Sequence, residues 1–490
     1  MRRANVASIA NPLISPWHQE IRVKVLVIGG GPAGSVTATA LARAGLEVEL
    51  VEADEFPRYH IGESLTPSCR AVLEAVGVAE KIDAHGFVIK HGGVIQWDSD
   101  NWVFDWGKQV GARSWQVDRG VFDDLLLGHA RDSGVSVRTG VSVTSVEFDG
   151  KRPRAVHCRP KDGAEYVVDD FDFLVDASGR NGVLSSRHFR DRRSLQNLRN
   201  IAMWSYWTGV TALPDTPSGG INIVSSDEGW YWAIPLSGGR TSLGYVTTKD
   251  AFNRDRAAGE QPEDLYHRLL RASPTMRGLL YDAEHVGEVR VETDYSYIAD
   301  RFCGPGFAIV GDAACFLDPL LSTGVHLALY SGLTAAASII SIDWGDVTED
   351  EGLLFYEFAY RRAYTRLFAL VSVMYERYLG KDGFFRTSDR LIGDDIRQAA
   401  VGGLSTRSFA EIIAGLSDLR EATDSSTRVL TERLRDEALM VQLRAVGGTD
   451  GTPMPDFTSV LENPLRDAES AHFRLVTSPK LRLERIEDDQ

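Results

Sequence analysis

Three glycines with the spacing Gly-x-Gly-x-x-Gly follow a short β-branched run near the start of the chain. They are Gly29, Gly31 and Gly34, and the acidic Glu52 stands 18 positions after the last of them. The first glycine permits a tight turn, the second lets the backbone approach a pyrophosphate, and the third lets a helix pack against a strand. The carboxylate of Glu52 can accept from ribose hydroxyls. We therefore predict a dinucleotide site here, with Ala33 beside the phosphates at the helix N-terminus.

Two later positions favour FAD over NAD. Arg119, just before the helical run VFDDLLLGHA, is suited to a phosphate or ribose contact, although it could also be a surface arginine. The buried-strand pattern Phe307–Val310 is followed by Gly-Asp312 at a helix start. This resembles the place where flavoproteins of the aromatic hydroxylase type put an aspartate on the ribityl chain. The glycine motif and this later Gly-Asp together form a two-point signature that predicts FAD.

The elements that must position these residues predict an α/β fold. We expect a glutathione-reductase-like FAD-binding domain of the Rossmann βαβ type, with an inserted antiparallel sheet as in aromatic hydroxylases and a helical C-terminal region. The predicted boundaries are 21–90, 115–190 and 290–342 for the FAD domain, 91–114 and 195–289 for the substrate-binding sheet, and 343–490 for the helices. Residues 1–20 are predicted to be a disordered leader.

Composition excludes several classes of protein. The 490 residues include 53 Lys and Arg against 69 Asp and Glu, a formal net charge of −16, which disfavours nucleic acid and anionic membrane surfaces as partners. The four cysteines form no CxxC pair, and no zinc-like spacing predicts a metal site. No apolar run reaches the roughly 18 residues of a membrane span. We therefore expect a reduced, cytoplasmic protein.

Four further segments resemble the flavin-dependent halogenases, and among them the branch that acts on substrates tethered to carrier proteins. The likeness runs from about Val23 to about Tyr378. The four segments are Phe56–Leu65 (FPRYHIGESL), Gly86–Gly93 (GFVIKHGG), Gly229–Pro235 (GWYWAIP) and Asp318–His326 (DPLLSTGVH).

The resemblance implies a role for each segment. It implies that FAD is used as FADH2, with O2 and chloride or bromide as co-substrates, and that Lys90 holds or relays hypochlorous acid. It places the halide at Thr323 and Gly324. Flavin contacts are expected from Arg58, Ser64 and Gly324, whereas His60 and Glu63 could contact flavin or hold its loop, and His326 could be functional or simply packed. A barrier between flavin and substrate is expected from Trp230, Trp232, Ile234 and Pro235.

Two departures from related families bear on substrate and partners. Leu321 stands where halogenases of free tryptophan carry a glutamate, which favours a tyrosyl, β-tyrosyl or pyrrolyl group on a peptidyl carrier protein. Ser178 stands where aromatic hydroxylases carry the aspartate of their NAD(P)H-docking motif, which implies a separate flavin reductase. The alternatives are an aromatic monooxygenase, a geranylgeranyl-reductase-like flavoprotein and a non-catalytic flavin-binding protein.

A docked carrier protein would need a local basic surface, because both partners are expected to be acidic. The sequence offers two candidates. The first is the segment Arg187–Arg199, and the second consists of Arg361, Arg362 and Arg366 on an aromatic helix.

Overall fold

The structure is a computed structural model that describes residues 23–98, 100–257, 259–376, 413–423 and 472–486. The predicted leader, 1–20, lies outside these residues. The strands are β1 (Lys24–Ile28), β2 (Glu47–Val51), β3 (Val88–Lys90), β4 (Gly92–Trp97), β5 (Asp100–Asp105), β6 (Ser114–Gln116), β7 (Ser136–Arg138), β8 (Val141–Asp149), β9 (Arg152–Pro160), β10 (Tyr166–Val168), β11 (Phe173–Asp176), β12 (Arg192–Thr208), β13 (Ile221–Ser226), β14 (Gly229–Pro235), β15 (Arg240–Thr248), β16 (Glu284–His285), β17 (Arg290–Ala299), β18 (Cys303–Gly304), β19 (Phe307–Ile309), β20 (Cys315–Phe316), β21 (Phe473–Val476) and β22 (Arg482–Arg485). The helices are α1 (Pro32–Arg43), α2 (Pro67–Ala75), α3 (Ala79–His85), α4 (Trp106–Gln109), α5 (Arg119–Asp132), α6 (Lys249–Ala257), α7 (Pro262–Ala272), α8 (Pro274–Leu279), α9 (Gly324–Trp344), α10 (Glu349–Glu376) and α11 (Leu416–Thr423).

A six-stranded sheet forms the first layer, in the order β18-β19-β11-β1-β2-β7. All neighbours are parallel except the β18–β19 pair. The apolar runs of β1 and β11 are almost wholly buried, as expected for parallel strands covered on both faces. The predicted α/β fold class is confirmed. Because parallel strands end at one edge, the turns after β1, β11 and β19 lie together there.

A nine-stranded, mostly antiparallel sheet forms the second layer. Its order is β20-β17-β12-β15-β14-β13-β4-β5, with β16 paired to β12. The hairpin β4–β5 comes early in the chain, whereas the other strands of this sheet come much later. The hairpin joins the sheet through a parallel pairing of β4 with β13. Strands β3 and β6 come before and after the β4–β5 hairpin in the chain and pair with each other. Lys90 is the last residue of β3. A separate three-stranded sheet consists of β8, β9 and β10.

Helix α9 packs against both α1 and α10, while α1 contacts β1 and β2 and α10 contacts β18 of the six-stranded sheet. Helix α9 is 21 residues long, has a mean hydropathy of 1.6, and is the one helix in the described ranges apolar enough to cross a membrane. The expectation that no stretch reaches that length was therefore too strict. Ninety-four per cent of its apolar window is buried inside the protein, as for a core helix.

The elements depart from the predicted organisation in three places. Strand β17 belongs to the nine-stranded sheet through β12, although the FAD domain was predicted to resume at 290. Three helices, α6 to α8, lie within the segment 195–289 that was interpreted as sheet. The helical region predicted for 343–490 also contains the hairpin β21–β22, which bonds to α9 through Leu483 N and Ser341 Oγ (2.7 Å).

Candidate active site

One cavity of about 620 Å³ lies between the six-stranded and nine-stranded sheets. It gathers most of the predicted site residues from distant parts of the chain. Among the residues that line it are Gly29, Gly31, Ala33, Glu52, Arg58, Ser64, Arg119, Asp312, Gly324, Trp230, Trp232 and Ile234. Four predicted residues lie outside the lining: Gly34, Lys90, Thr323 and Pro235.

The glycine turn has the geometry that a pyrophosphate needs. Gly29 has φ +103°, and a Cβ there would stand 2.2 Å from the Ala177 carbonyl oxygen. A Cβ on Gly34 would stand 2.0 Å from the Gly29 carbonyl oxygen, so helix α1 can pack this closely only with glycine. The N-terminus of α1 faces the cavity at Gly31 and thus offers free backbone N–H groups to phosphate.

Glu52 holds the turn as well as lining the cavity. Its Oε2 accepts from Gly30 N at 2.6 Å, and its Oε1 accepts from Asp54 N at 2.8 Å. Each oxygen keeps a second lone pair, so the predicted ribose contact stays compatible with this geometry.

Arg119 contacts mainly protein groups. Its guanidinium is buried and paired with both oxygens of Asp123 (2.8 and 3.0 Å), and Nη1 donates to the carbonyl of Ile61 at 2.9 Å. Burial opposes its charge, but Asp123 raises the pKa of Arg119. Arg58 shares the same carboxylate at 3.3 Å. The two arginines therefore connect segment 58–62 to helix α5. Burial, together with the nearby charge of Arg119, lowers the pKa of His60 to about 4.

The far wall of the cavity is formed by the turns after β11 and β19. Asp176 caps its turn by accepting from Ser178 N (3.0 Å) and Leu184 N (2.6 Å). Asp312 follows β19 in a short 3-10 turn, and burial raises the pKa of its carboxyl. Ser178 lines the cavity with Asp312.

Lys90 lies behind the cavity wall. Only 1% of it is exposed, and its Nζ donates to Ser64 Oγ at 2.6 Å and to the Leu65 carbonyl at 3.1 Å. The ring of Trp106 is centred 4.7 Å from the same nitrogen. Burial lowers the pKa of the Lys90 ammonium to about 7. Since Ser64 lines the cavity, its hydroxyl links the buried amine to that space.

The predicted halide loop leads directly into α9. Pro319–Leu321 forms a 3-10 turn, Ser322 has φ +56°, and Thr323 is the N-cap of the helix. Thr323 is fully buried, and its Oγ1 has no hydrogen-bond partner among the described residues. An orphaned hydroxyl beside the N-terminus of a long helix fits a small anion such as chloride.

A hydrogen-bond chain connects this loop to the predicted barrier. Trp230 Nε1 donates to Tyr375 Oη at 2.6 Å, and that hydroxyl donates to Asp318 Oδ2 at 2.9 Å. Asp318 Oδ1 in turn accepts from Leu320 N at 3.0 Å. Asp318 is buried, and burial raises its pKa to about 6. The sequence analysis did not find this role for Asp318 and Tyr375, since they come from separate elements.

A second group that the sequence analysis missed is aromatic and belongs to β12. Trp204 and Tyr206 are two positions apart in this strand, so both point to one sheet face. Trp204 Nε1 donates to Tyr59 Oη at 2.7 Å, and Tyr206 Oη donates to Glu63 Oε1 at 2.8 Å. The two-residue alternation of side chains along β12 was the sequence pattern that could have predicted this aromatic face.

His326 is packed inside the protein. Its Nδ1 lies 2.8 Å from Ser68 Oγ and its Nε2 lies 2.8 Å from Asp418 Oδ2. Asp418 also pairs with Arg366 at 2.5 Å, and all four side chains are buried. Of the two alternatives left open for His326, the structure gives the packed one.

The second basic cluster cannot be a docking surface. Arg361, Arg362 and Arg366 are 3%, 4% and 0% exposed, because this face of α10 packs inward. The expectation of a carrier-binding patch on this helix was therefore wrong. In the first cluster, Arg192 bonds to backbone carbonyls such as that of Arg180 (2.6 Å), whereas Arg187 and Arg190 are exposed.

No metal site was predicted, and one group in the described ranges has suitable side chains. It consists of Glu263, His267 and His285, whose ligand atoms lie within 4.8 Å of one another. His285 Nε2 already lies 2.7 Å from Ser205 Oγ. None of the three lines the cavity, so the flavin site is built without them.

Comparison with known proteins gives consistent matches. A sequence model of the tryptophan halogenase family matches residues 24–115 and 108–387. A tryptophan 2-halogenase of Chondromyces crocatus is 40% identical over 404 residues, covering 82% of this chain and 77% of that protein. A sulochrin halogenase of Aspergillus terreus is 34% identical over 452 residues, covering 84% and 82%.

Solved structures agree with the sequence matches. The myxobacterial chondrochloren halogenase CndH aligns with a TM-score of 0.69 and 33% identity, covering 84% of this chain and 96% of that one. The flavin-dependent brominase Bmp2 aligns with a TM-score of 0.71 and 27% identity, covering 86% and 100%.

Proposed function

The chain belongs to the tryptophan halogenase family of flavin-dependent halogenases, and from this premise we propose that it chlorinates an aromatic aminoacyl substrate. It is a halogenating oxidoreductase that uses FADH2, O2 and a halide. Family membership favours this activity over the monooxygenase, reductase and non-catalytic alternatives. We propose a tyrosyl, β-tyrosyl or pyrrolyl group on a peptidyl carrier protein as substrate, in a secondary-metabolite pathway.

The observation that carries the proposal is the placement of Lys90. Bound FADH2 supplies hypochlorous acid from O2 and chloride, and that oxidant must reach one ring without escaping. An amine with a pKa of about 7 is present as both donor and nucleophile at neutral pH. The Ser64 hydroxyl lies 2.6 Å from it and forms part of the cavity wall. Lys90 is thus suited to hold the oxidant on the side of the wall away from the flavin.

The other residues fit the bound groups. FAD would extend from the glycine turn, where Gly29 and Gly31 admit the pyrophosphate, to Asp312 beside the ribityl chain. The halide would lie at Thr323 and Gly324. The tryptophans Trp230 and Trp232 line the side of the cavity formed by the nine-stranded sheet, which supports a barrier role.

The proposed flavin reductase, substrate class and carrier protein are each supported by a different observation. Flavin-dependent halogenases generally need a separate flavin reductase, and Ser178 in place of an NAD(P)H-docking aspartate supports the same requirement here. Leu321, buried in the halide loop, supports a substrate other than free tryptophan. For the carrier protein, the exposed Arg187 and Arg190 are the remaining basic surface, and Arg187 also lines the cavity.

The test of the proposal is Lys90→Ala. We expect ring halogenation to fall by about 100-fold or more, because the positioned proton donor is lost, while reduced flavin still reacts with O2. Product formation and flavin oxidation are measured in the same reaction with a flavin reductase present. Lys108→Ala, at an exposed lysine on α4, is the matched control. Normal halogenation by Lys90→Ala would show that this amine is not in the reaction.

The carrier-tethered form of the substrate is tested separately. Tyrosyl carrier protein and free tyrosine are compared with the wild type and with Arg187→Glu/Arg190→Glu. A preference for the tethered substrate that the double variant loses supports carrier docking. Equal rates on both substrates would contradict it and leave the halogenase activity intact.

A further inference from the structure

Two histidines and a glutamate lie together beside the end of β12, outside the flavin cavity. Glu263 and His267 are four positions apart on α7, so their side chains lie on one face of this helix. His285 belongs to β16 and pairs with Trp207 of β12. One ligand atom from each of the three side chains lies within 4.8 Å of the other two. The group therefore connects a helix to a strand of the nine-stranded sheet.

The two imidazoles have a separation that a single metal ion can bridge. Their ring centroids are 4.8 Å apart, and the ring planes make an angle of 82°. In a tetrahedral site with metal–nitrogen bonds of about 2.0–2.1 Å, the centroids of two bound imidazoles are about 5 Å apart. Small side-chain rotations would therefore bring both rings to one ion, and the exposed side chain of Glu263 can move with them.

The hydrogen bonds around His285 leave one of its nitrogens available as a metal ligand. Ser205 Oγ donates to the Glu288 carbonyl at 3.0 Å, so it accepts from His285 Nε2, which lies 2.7 Å away. The proton of the neutral ring is therefore on Nε2, and Nδ1 carries the free lone pair. Metal-binding histidines commonly make such a second hydrogen bond, which fixes the tautomer and the ring orientation.

The other two side chains have no competing partner. Neither His267 nor Glu263 makes a side-chain hydrogen bond within the described ranges. The ring of His267 is partly buried and packs against Trp207, with centroids 5.8 Å apart. Burial, followed by the nearby His285, lowers the pKa of His267. The neutral imidazole is the form that binds metals, so this ring can act as a ligand at pH 7.

The donor set selects the kind of ion. Imidazole nitrogens suit Zn2+ and other first-row transition metals, whereas Mg2+ and Ca2+ prefer oxygen ligands. Two imidazoles, one carboxylate and a water molecule would complete the four ligands of Zn2+. Zn2+ also has no geometric preference from its d electrons, so it tolerates ligands that come from a helix and a short strand.

We propose that Glu263, His267 and His285 bind a zinc ion that joins α7 to β16 and the end of β12. This inference goes beyond the halogenase reaction, since none of the three residues lines the flavin cavity. Helix α7 covers a second apolar core, in which Leu265 and Leu270 are buried. The unfolded chain does not hold the three ligands together, so the bound ion stabilises the folded position of this helix.

The test measures zinc binding by the untagged, flavin-loaded protein after treatment with EDTA. Calorimetric titrations with ZnCl2 compare the wild type with Glu263→Gln, His267→Gln and His285→Gln. The matched control is His157→Gln, because His157 Nε2 lies 2.7 Å from Glu147 Oε1 in a pair without a third ligand in the described ranges. We expect one ion per wild-type chain, a loss of affinity of at least about 10-fold in each of the three variants, and unchanged binding by the control.

Thermal unfolding supplies a second readout that does not depend on the histidine variants. Glu263 is exposed, so Glu263→Gln removes a ligand without disturbing the packing of α7. Zn2+ should raise the Tm of the wild type and of His157→Gln, and should raise that of Glu263→Gln less. Mg2+ at the same concentration should raise none of them.

Three results would overturn the inference. The first is a wild type that binds no Zn2+ at millimolar concentration, which would leave the group as a packed aromatic cluster only. The second is equal zinc affinity in the wild type and all three variants, which would assign the bound ion to another part of the chain. The third is an equal rise of Tm with Mg2+ and with Zn2+, which would mean a general effect of divalent cations.

Discussion

Lys90 is a buried amine that the fold keeps in an unfavourable environment for its charge. Its Nζ has a hydroxyl, a carbonyl and the Trp106 ring as neighbours, and the Cys69 thiol is the one group within the described part of the chain that raises its pKa. Protonation of the amine in such a site lowers the stability of the fold. Reactive groups are commonly held in destabilising environments of this kind. The same property that suits Lys90 to the oxidant should therefore be visible in the pH dependence of folding.

Replacing Lys90 by a neutral side chain should remove the pH-dependent loss of folding stability that the buried amine causes. The folded-state pKa of about 7 lies below the ordinary 10.5, so the unfolded chain binds more protons between these values. Wild-type stability should gain up to about 1.4 kcal/mol per pH unit from Lys90 as pH rises from 7 towards 10.5. Lys90→Met should accordingly be stabilised most at or below pH 7, with a difference that shrinks above it.

The measurement is urea unfolding of both proteins without flavin at pH 6, 7, 8 and 9. Lys108→Met serves as the control for loss of an exposed lysine. A difference between wild type and Lys90→Met that stays constant with pH would mean that the amine keeps its ordinary pKa in the fold.

At the scale of elements, the turn before α9 is held in place by residues of helix α10 and strand β12. Asp318 fixes the turn through Leu320 N and is itself held by Tyr375 from α10 and by Asn200 Nδ2 from β12 (2.8 Å). The orphaned hydroxyl of Thr323 lies five residues after this aspartate. The halide site is thus positioned by contacts between elements far apart in sequence.

Tyr375→Phe should loosen that turn without touching the flavin. The hydroxyl that accepts from Trp230 and donates to the buried Asp318 is removed, and a bond to a charged group contributes about 1.5–3 kcal/mol. We expect a higher apparent KM for chloride and unchanged FAD affinity, measured by halide titration of product formation and by flavin fluorescence. Tyr281→Phe, at a tyrosine that is 86% exposed, is the control. An unchanged chloride KM would show that the chain from Trp230 does not position the halide loop.

At the scale of the whole molecule, residues 413–423 are tied to the core by a buried ionic cluster. Asp418 pairs with Arg366 of α10 and with His326 of α9, and Ser68 N of α2 donates to the Ala414 carbonyl at 2.8 Å. Burial opposes ionisation of Asp418, but Arg366 and His326 hold its pKa below the ordinary value. The carboxylate therefore stabilises the fold above about pH 4, and this contribution is lost only as pH falls through its lowered pKa.

Asp418→Asn should be strongly destabilising at neutral pH. It removes the carboxylate that pairs with the buried Arg366, and removing one partner of a buried ion pair typically costs about 3–5 kcal/mol. Thermal unfolding of the variant against the wild type measures this, with the exposed Asp162→Asn as the control. A loss of stability below about 1 kcal/mol, the size expected for a surface ion pair, would mean that the cluster does not hold residues 413–423 against the core.

The sequence predicted the parts of this site that depend on neighbours along the chain. Gly29, Gly34 and Glu52 were readable because one βαβ unit contains them, and Lys90 because its motif is local. The partners of Asp318 and His326 were not readable, because they come from helices whose periodicity does not say what they pack against. The same ambiguity made Arg361 and Arg366 appear to be surface residues, although an amphipathic pattern cannot say which face of α10 is covered.

The measurement that tests the central claim most directly needs no substrate. Enzyme with pre-reduced FAD is mixed with O2 in the presence and absence of chloride or bromide, and hypohalous acid is trapped with a generic acceptor. We predict trapping that requires the halide and the flavin together. Decay of the reduced flavin to hydrogen peroxide at the same rate with and without halide, also in the presence of tyrosyl carrier protein, would contradict the assignment of this cavity as a halogenating site.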